Sequence, residues 1–437
     1  MTILRALIAG ISALILAAPV CAQEVETSAL AAPGLFSMEA RPTDLTESLW
    51  NGASVETIRT VLPLIAARPL SPAARALALK VLATGAATPP GLGRDLDLVG
   101  SRIAALLAQG DLVGARTLIE KTPGIEQSPI LSRAAAEANL LSQSDPAACA
   151  IGQALTSGRE DIYWLRLRTY CQALAGQIDA ASLTLELAQG QQKDAIFGRL
   201  MSAKLAGGGD PGGPSLRNGL DYALSRNLGL DLSKAEPAPA VALALAPPAM
   251  GPAVWQIESG PGAVRTALAL AAAGELGQAR AIRSGLTQDE IPNATITDLA
   301  LLDGVLAAAE GRADGQTLDR LIERGVLADA KTRPRIQTAS LILAALGAPM
   351  SPRAAGEFAT FTAGETRAPP ARALALDLAA DQKLIGQTAL LALWISAEAG
   401  PGGPAPGDRV RIIRALRTAG LEADARAFAV EGLLAVR

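Results

Sequence analysis

The chain has 437 residues, a formal net charge of −3 and no histidine. The absence of histidine removes His-based acid–base catalysis, Ser-His-Asp and Cys-His nucleophile pairs, and most transition-metal sites. The near-balanced, interspersed charge offers nothing to nucleic acid or to an anionic membrane surface. Half of the residues are hydrophobic but only 3% are aromatic, so the core must be built from Ala and Leu. Both are strong helix formers, and Ala lets helix backbones approach. The expected fold class is all-α, with only a few residues near 254–257 reading as strand.

The N-terminal stretch MTILRALIAGISALILAAPVCAQE carries one basic residue, Arg5, then an apolar run over residues 6–18, then Val20-Cys21-Ala22. This pattern reads as a secretory signal peptide over residues 1–22, cleaved after Ala22, of bacterial type. An uncleaved anchor and a lipidated Cys21 are the other readings. No later segment reads as membrane-spanning, because the uncharged stretch 237–254 holds five prolines, which an unbroken helix does not tolerate.

Residues 23–42 read as an extended, poorly ordered segment. Helical pairs follow in a first region, residues 43–206: 44–64 with 71–82, two helices within 101–122, 130–141 with 146–155, and 161–175 with 178–188. Residues 207–262 form a Gly/Pro-rich irregular segment, opened by GGGDPGGP (207–214), with one helix over 215–228 and an extended apolar belt over 234–262. Pairs resume in a second region, residues 263–437: 261–273 with 275–286, 295–310 with 313–324, 332–346 with 351–362, 370–380 with 383–399, and 408–418 with 421–436.

Four corners share a pattern of Gly, four residues, then Ala: Gly110 with Ala115, Gly176 with Ala181, Gly274 with Ala279, and Gly420 with Ala425. Gly takes the left-handed conformation that ends a helix. Ala five residues later lies early in the next helix, where only a small side chain fits against the first. The pattern resembles the inter-helix turn of tetratricopeptide repeats. That resemblance implies an α-solenoid of antiparallel hairpins, wound as a right-handed superhelix, that binds proteins or peptides in its groove.

Two cysteines follow the signal segment, Cys149 and Cys171. In an exported chain such a pair reads as a disulfide, and antiparallel helices would bring the two to similar depth. Two buried free thiols are the alternative. The densest aromatic cluster is DIYWLRLRTYC. At 100° per residue Tyr163, Leu167, Tyr170 and Leu174 form one stripe, flanked by Trp164 and Cys171. The stripe reads as core, or as a partner-binding anchor bordered by Arg166 and Arg168. Arg409, Arg411, Arg414 and Arg417 read as a solvated helix face or a site for an acidic partner. Acids near arginine at helical spacing, such as Glu422 and Asp424 with Arg426, read as solvated faces.

No catalytic, cofactor or metal residues stand out. The expectation is a periplasmic, non-catalytic interaction scaffold or accessory factor whose partner is a protein or peptide of the cell envelope. The rival is an envelope enzyme, or enzyme subunit, acting on peptidoglycan or polysaccharide through two carboxylates that face each other in a cleft.

Overall fold

The computed structural model describes residues 34, 36–89, 91–93, 95–246, 262–286, 296–312, 314–362 and 364–436. Residues 1–22, expected as a signal peptide, and residues 254–257, expected as strand, lie outside them. The described residues contain α-helices and two short 3-10 turns, and among them there is no strand. The fold is all-α, and no described helix is long and apolar enough to cross a membrane.

The chain's local rule is visible in helices α3 (Leu96–Ala108) and α4 (Leu112–Lys121). Asp95 caps α3 by accepting the Leu98 N–H at 3.0 Å, and apolar residues then return at helical spacing, with Val99, Ile103 and Leu106 buried. The helix stops at Gly110, whose φ of 88° is left-handed. The Gly110 N–H donates to Leu107 O at 2.9 Å and the Asp111 N–H to Leu106 O at 2.9 Å, the paired bonds of a Schellman cap. Asp111 then caps α4 by accepting the Gly114 N–H.

The same pair of hydrogen bonds closes the corners at Gly176, Gly274 and Gly420. Ala115, Ala181, Ala279 and Ala425 are all fully buried. The structure adds corners that lack the Gly-Ala signature. Gln143 (φ 61°) and Lys383 (φ 57°) take the left-handed position themselves, followed five residues on by the fully buried Ala148 and Thr388. Gly311 and Gly347 close two more. Gly110, Gln143 and Gly176 thus stand at 33-residue intervals, while Gly274, Gly311, Gly347, Lys383 and Gly420 stand at 36 or 37.

Three expectations are corrected. The first helix, α1 (Val55–Ala67), begins well after residue 44. Residues 36–54 are turns, but those from Phe36 onward are not loose, as expected for 23–42. Phe36, Leu49 and Trp50 are buried, with Phe36 and Trp50 edge to face at 5.8 Å. Arg102 of α3 fixes this segment. Its guanidinium donates to the carbonyls of Leu82, Thr84 and Met38 and lies 5.4 Å from the Phe36 ring centre. Burial pulls its pKa down to about 10. Second, α9 (Ala195–Ala206) follows the expected last helix of the first region. Third, residues 207–262 hold more than one helix: α10 (Gly219–Asn227) and α11 (Pro239–Leu245). The stretch expected as an extended belt is helical at α11, because its prolines fall before and at the first turn, where a missing N–H costs nothing. Val241 and Ala244 of α11 pack with Leu141, Leu216 and Tyr222.

Residues 34–437 form one compact unit. Its largest apolar core joins residues of the first region, such as Ile58, Leu77 and Ile103, with residues of the second, such as Leu390, Ile412 and Phe428. The first and last of the described helices meet there. Helices α1 and α2 (Pro72–Ala83) pack on α19 (Ile385–Ala399), and α2 also packs on α21 (Glu422–Ala435). Gly386 donates its N–H to Leu49 O at 3.0 Å, and a Cβ there would collide with that carbonyl. Gln387 accepts from the Ser54 N–H and donates to Thr57. Glu431 Oε2 accepts the Ala73 N–H at 2.9 Å, and Oε1 lies 3.1 Å from Arg409 of α20 (Pro406–Ala419). Lys80 pairs with Asp424 at 2.5 Å.

These contacts correct two surface readings. Arg409 and Asp424 are buried, 4% and 8% exposed, while Arg411, Arg414 and Arg417 face solvent. Burial raises the pKa of Glu431 against the opposing pull of Arg409, and that of Asp424 against Lys80.

Candidate ligand-binding groove

A cavity of about 680 Å³ opens between α3, α5 (Pro129–Leu141), α7 (Ile162–Leu174), the start of α10 and α11. Its apolar lining includes Ala104 and Leu107 from α3, Ala134 from α5 and Val241 from α11. Polar groups line it as well. Glu137 and Arg133 come from α5, Tyr163 and Arg166 from α7, and Arg217 and Asp221 from the α10 end. Spacing explains the α5 pair, since residues four apart share a helix face.

Most of these groups are already engaged. Asp194 is a hub: it caps α9 through the N–H groups of Ile196 and Phe197, accepts two bonds from Arg217 at 3.0–3.1 Å, and lies 3.4 Å from Arg166. Burial pushes the Asp194 carboxyl up, but Arg217, the Phe197 N–H and Arg166 more than offset it, so its pKa lies below the usual range. Asp221 accepts from Ser215 Oγ at 2.7 Å and Arg217 Nε at 2.6 Å.

Glu137 Oε2 accepts the Gly219 N–H at 2.7 Å and so anchors the N-terminus of α10. Its Oε1 is buried beside the buried Tyr163 hydroxyl, and these two groups face each other as acceptor and donor. Burial raises the Glu137 pKa, with the Gly219 N–H opposing. Burial and then the Glu137 charge push the Tyr163 pKa well up. Arg133 lies over the Tyr163 ring at 4.7 Å, with its side chain exposed.

The aromatic stripe is therefore divided among three environments. Tyr163 and Arg166 line the groove. Tyr170 is core: it is fully buried and its hydroxyl donates to Asp145 at 2.9 Å, where Arg226 also binds. Trp164 and Arg168 line a separate cavity of about 230 Å³ beside Cys149 and Cys171. Those two cysteines form a disulfide, with Cα atoms 5.6 Å apart, linking α6 (Asp145–Ala154) to α7.

Sequence reasoning missed Glu137, Arg133, Arg217 and Asp221. The i, i+4 pair Arg133 and Glu137 was visible as a helical charge pair. That it faces Tyr163 depends on how α5 meets α7 and α10.

Comparison with protein-family models, with curated proteins and with solved structures finds no match. Among the described residues no cluster of carboxylates and cysteines is arranged to hold a metal ion.

Proposed function

We propose that this protein is a non-catalytic binding scaffold of the bacterial cell envelope, built as a tetratricopeptide-like stack of helix hairpins, and that its partner is a protein or peptide held in the groove between α3, α5 and α7. The groove carries this reading: apolar side chains and charged and aromatic groups from several helices line one cavity. The recurrent corners support the repeat reading, since each returns the chain for another hairpin. Export rests on the N-terminal segment, and the Cys149–Cys171 disulfide fits an oxidising compartment.

The carboxylate-enzyme reading gains little from the same cavity. Glu137 and Asp221 both line it, but the Asp221 carboxylate is already tied to Ser215 and Arg217. A glycosidase pair needs one free acid and one free base or nucleophile.

Two measurements test the proposal. Pull-down from envelope extract, read by mass spectrometry, should return a partner with the parent chain and lose it with Arg133→Glu. A surface variant far from the groove, Arg411→Glu, should keep it. Retention by the groove variant overturns the site, and intact-mass detection of a mature chain that still begins at Met1 overturns the export reading.

A further inference from the structure

The cavity of about 230 Å³ beside the Cys149–Cys171 disulfide is lined by Arg159, Arg168 and three glutamines, Gln153, Gln172 and Gln177, and its lining holds no aspartate or glutamate. Arg159 follows α6 and bends back over its end, donating through Nη1 to Gln153 O at 3.3 Å and to Leu155 O at 3.4 Å. Arg168 of α7 donates through Nη2 to Arg159 O at 3.3 Å. These acceptors are neutral carbonyls. Among the described residues neither guanidinium forms an ion pair, whereas Arg166 and Arg217 in the larger groove are met by Asp194 and Asp221. Glu160 and Asp161, next to Arg159 in the chain, are exposed and lie outside the lining. Two positive charges thus border one cavity with no carboxylate in it. Each guanidinium carries five N–H donors, and in each only one nitrogen is engaged.

Going beyond the groove reading, and not resting on it, we propose that this cavity binds a small oxyanion with two negative charges, as a phosphate group or a dicarboxylate carries. An arginine fork matches carboxylate and phosphate oxygens in pairs, and such charge-assisted bonds are about twice as strong as neutral ones. The glutamine amides add neutral donors for the remaining oxygens. Volume limits the ligand. The cavity is smaller than the roughly 300–1,000 Å³ of pockets that enclose a drug-sized molecule, so it suits a small anion. A cation does not fit, because it would meet two guanidiniums and no acid. The disulfide ties α6 to α7, and so holds the end of α6, on which Arg159 folds, near Arg168. A site held in place before the ligand arrives pays less ordering cost on binding.

Calorimetry on the full, oxidised chain tests the proposal, with inorganic phosphate and succinate as probes and chloride at matched ionic strength as the blank. At least one probe should bind in the millimolar range or tighter, and which of them binds distinguishes a phosphate site from a dicarboxylate site. Arg159→Gln and Arg168→Gln should each weaken that probe by about tenfold, the loss expected for one charge-assisted bond. Arg168→Lys, which keeps the charge and loses the fork, should recover part of the loss. Arg411→Gln on α20 should bind like the parent. If Arg168→Gln does not fold, Arg159→Gln, at an exposed position, carries the test. No binding of either probe at millimolar concentration, or binding left unchanged by the glutamine substitutions, overturns the proposal.

Discussion

The corner between α7 and α8 (Ile178–Gln191) and the junction of α1 and α2 with α19 and α21 are both well packed, yet they are held differently. The corner is local. Gly176 turns the chain, Ala181 is fully buried five residues later, and just before the corner the disulfide ties α7 back to α6 across 22 residues. The junction joins residues more than 300 apart through Gly386 on Leu49, Glu431 on Ala73 and Lys80 on Asp424. Small apolar residues and turn geometry make the corner. Buried charge makes much of the junction, and a buried charge stabilises only while its partner remains.

The largest effect should come from breaking the junction at Glu431. Glu431→Ala leaves Arg409, whose side chain is 5% exposed, without its carboxylate, and should cost about 3–5 kcal/mol in urea denaturation. A loss no greater than that of an ordinary surface substitution would show that the two ends are not coupled through this pair.

Next is the disulfide that ties α7 to α6 beside the corner. The Cys149–Cys171 loop is short, and its reduction should cost about 3 kcal/mol on the chain-entropy account. Thiol alkylation of the denatured, unreduced chain should label neither cysteine, and labelling of both would refute the bridge. The non-covalent part of the corner is weaker. Ala181 is fully buried in the cluster with Leu167 and Leu200, so Ala181→Leu should overpack it and cost about 1–3 kcal/mol. An unchanged melting temperature would remove the packing role given to the corner alanine.

The smallest effect should separate the two regions by pH. The carboxyls of Glu431 and Asp424 have raised folded-state pKa values, chiefly from burial. Between the unfolded value and that raised value the folded chain holds more protons, so stability falls as pH rises through this window. Lowering the pH from neutral toward the ordinary carboxylate range should therefore raise the melting temperature, and Glu137, whose pKa burial also raises, contributes in the same direction. Asp194, whose pKa is lowered, does not oppose this: its stabilising contribution is present above its unfolded value and is lost only at lower pH. Asp424→Asn should flatten the rise, whereas removing the disulfide should leave its slope unchanged. A slope unaffected by Asp424→Asn would assign it to other groups.

Much of the corner was legible in the residues. Gly at a helix end and Ala five positions later are consequences of backbone sterics within a few residues, and the four corners so marked close as Schellman caps. The corners at Gln143 and Lys383 were not legible, since neither is glycine. Their left-handed conformation is imposed by the helices they join. The cysteine pair could be matched because a hairpin fixes depth. The groove was half legible. Tyr163 and Arg166 stood out as an aromatic–arginine cluster, but Trp164, Arg168 and Tyr170 belong to other surroundings.

The sequence by itself determined what depends on near neighbours: an Ala- and Leu-rich all-helical chain, most helix ends, the turns between them, and the lack of histidine chemistry. The tertiary structure alone decided which of many similar charges are buried. Arg409 and Arg411 look alike on one helix, yet the first faces Glu431 and the second faces water. Likewise only the meeting of α5, α7 and α10 brings Glu137 to Tyr163. Helix periodicity sets the face on which a side chain lies, while the partner that face meets is fixed by contacts that at the junction lie hundreds of residues away, and no local pattern encodes them.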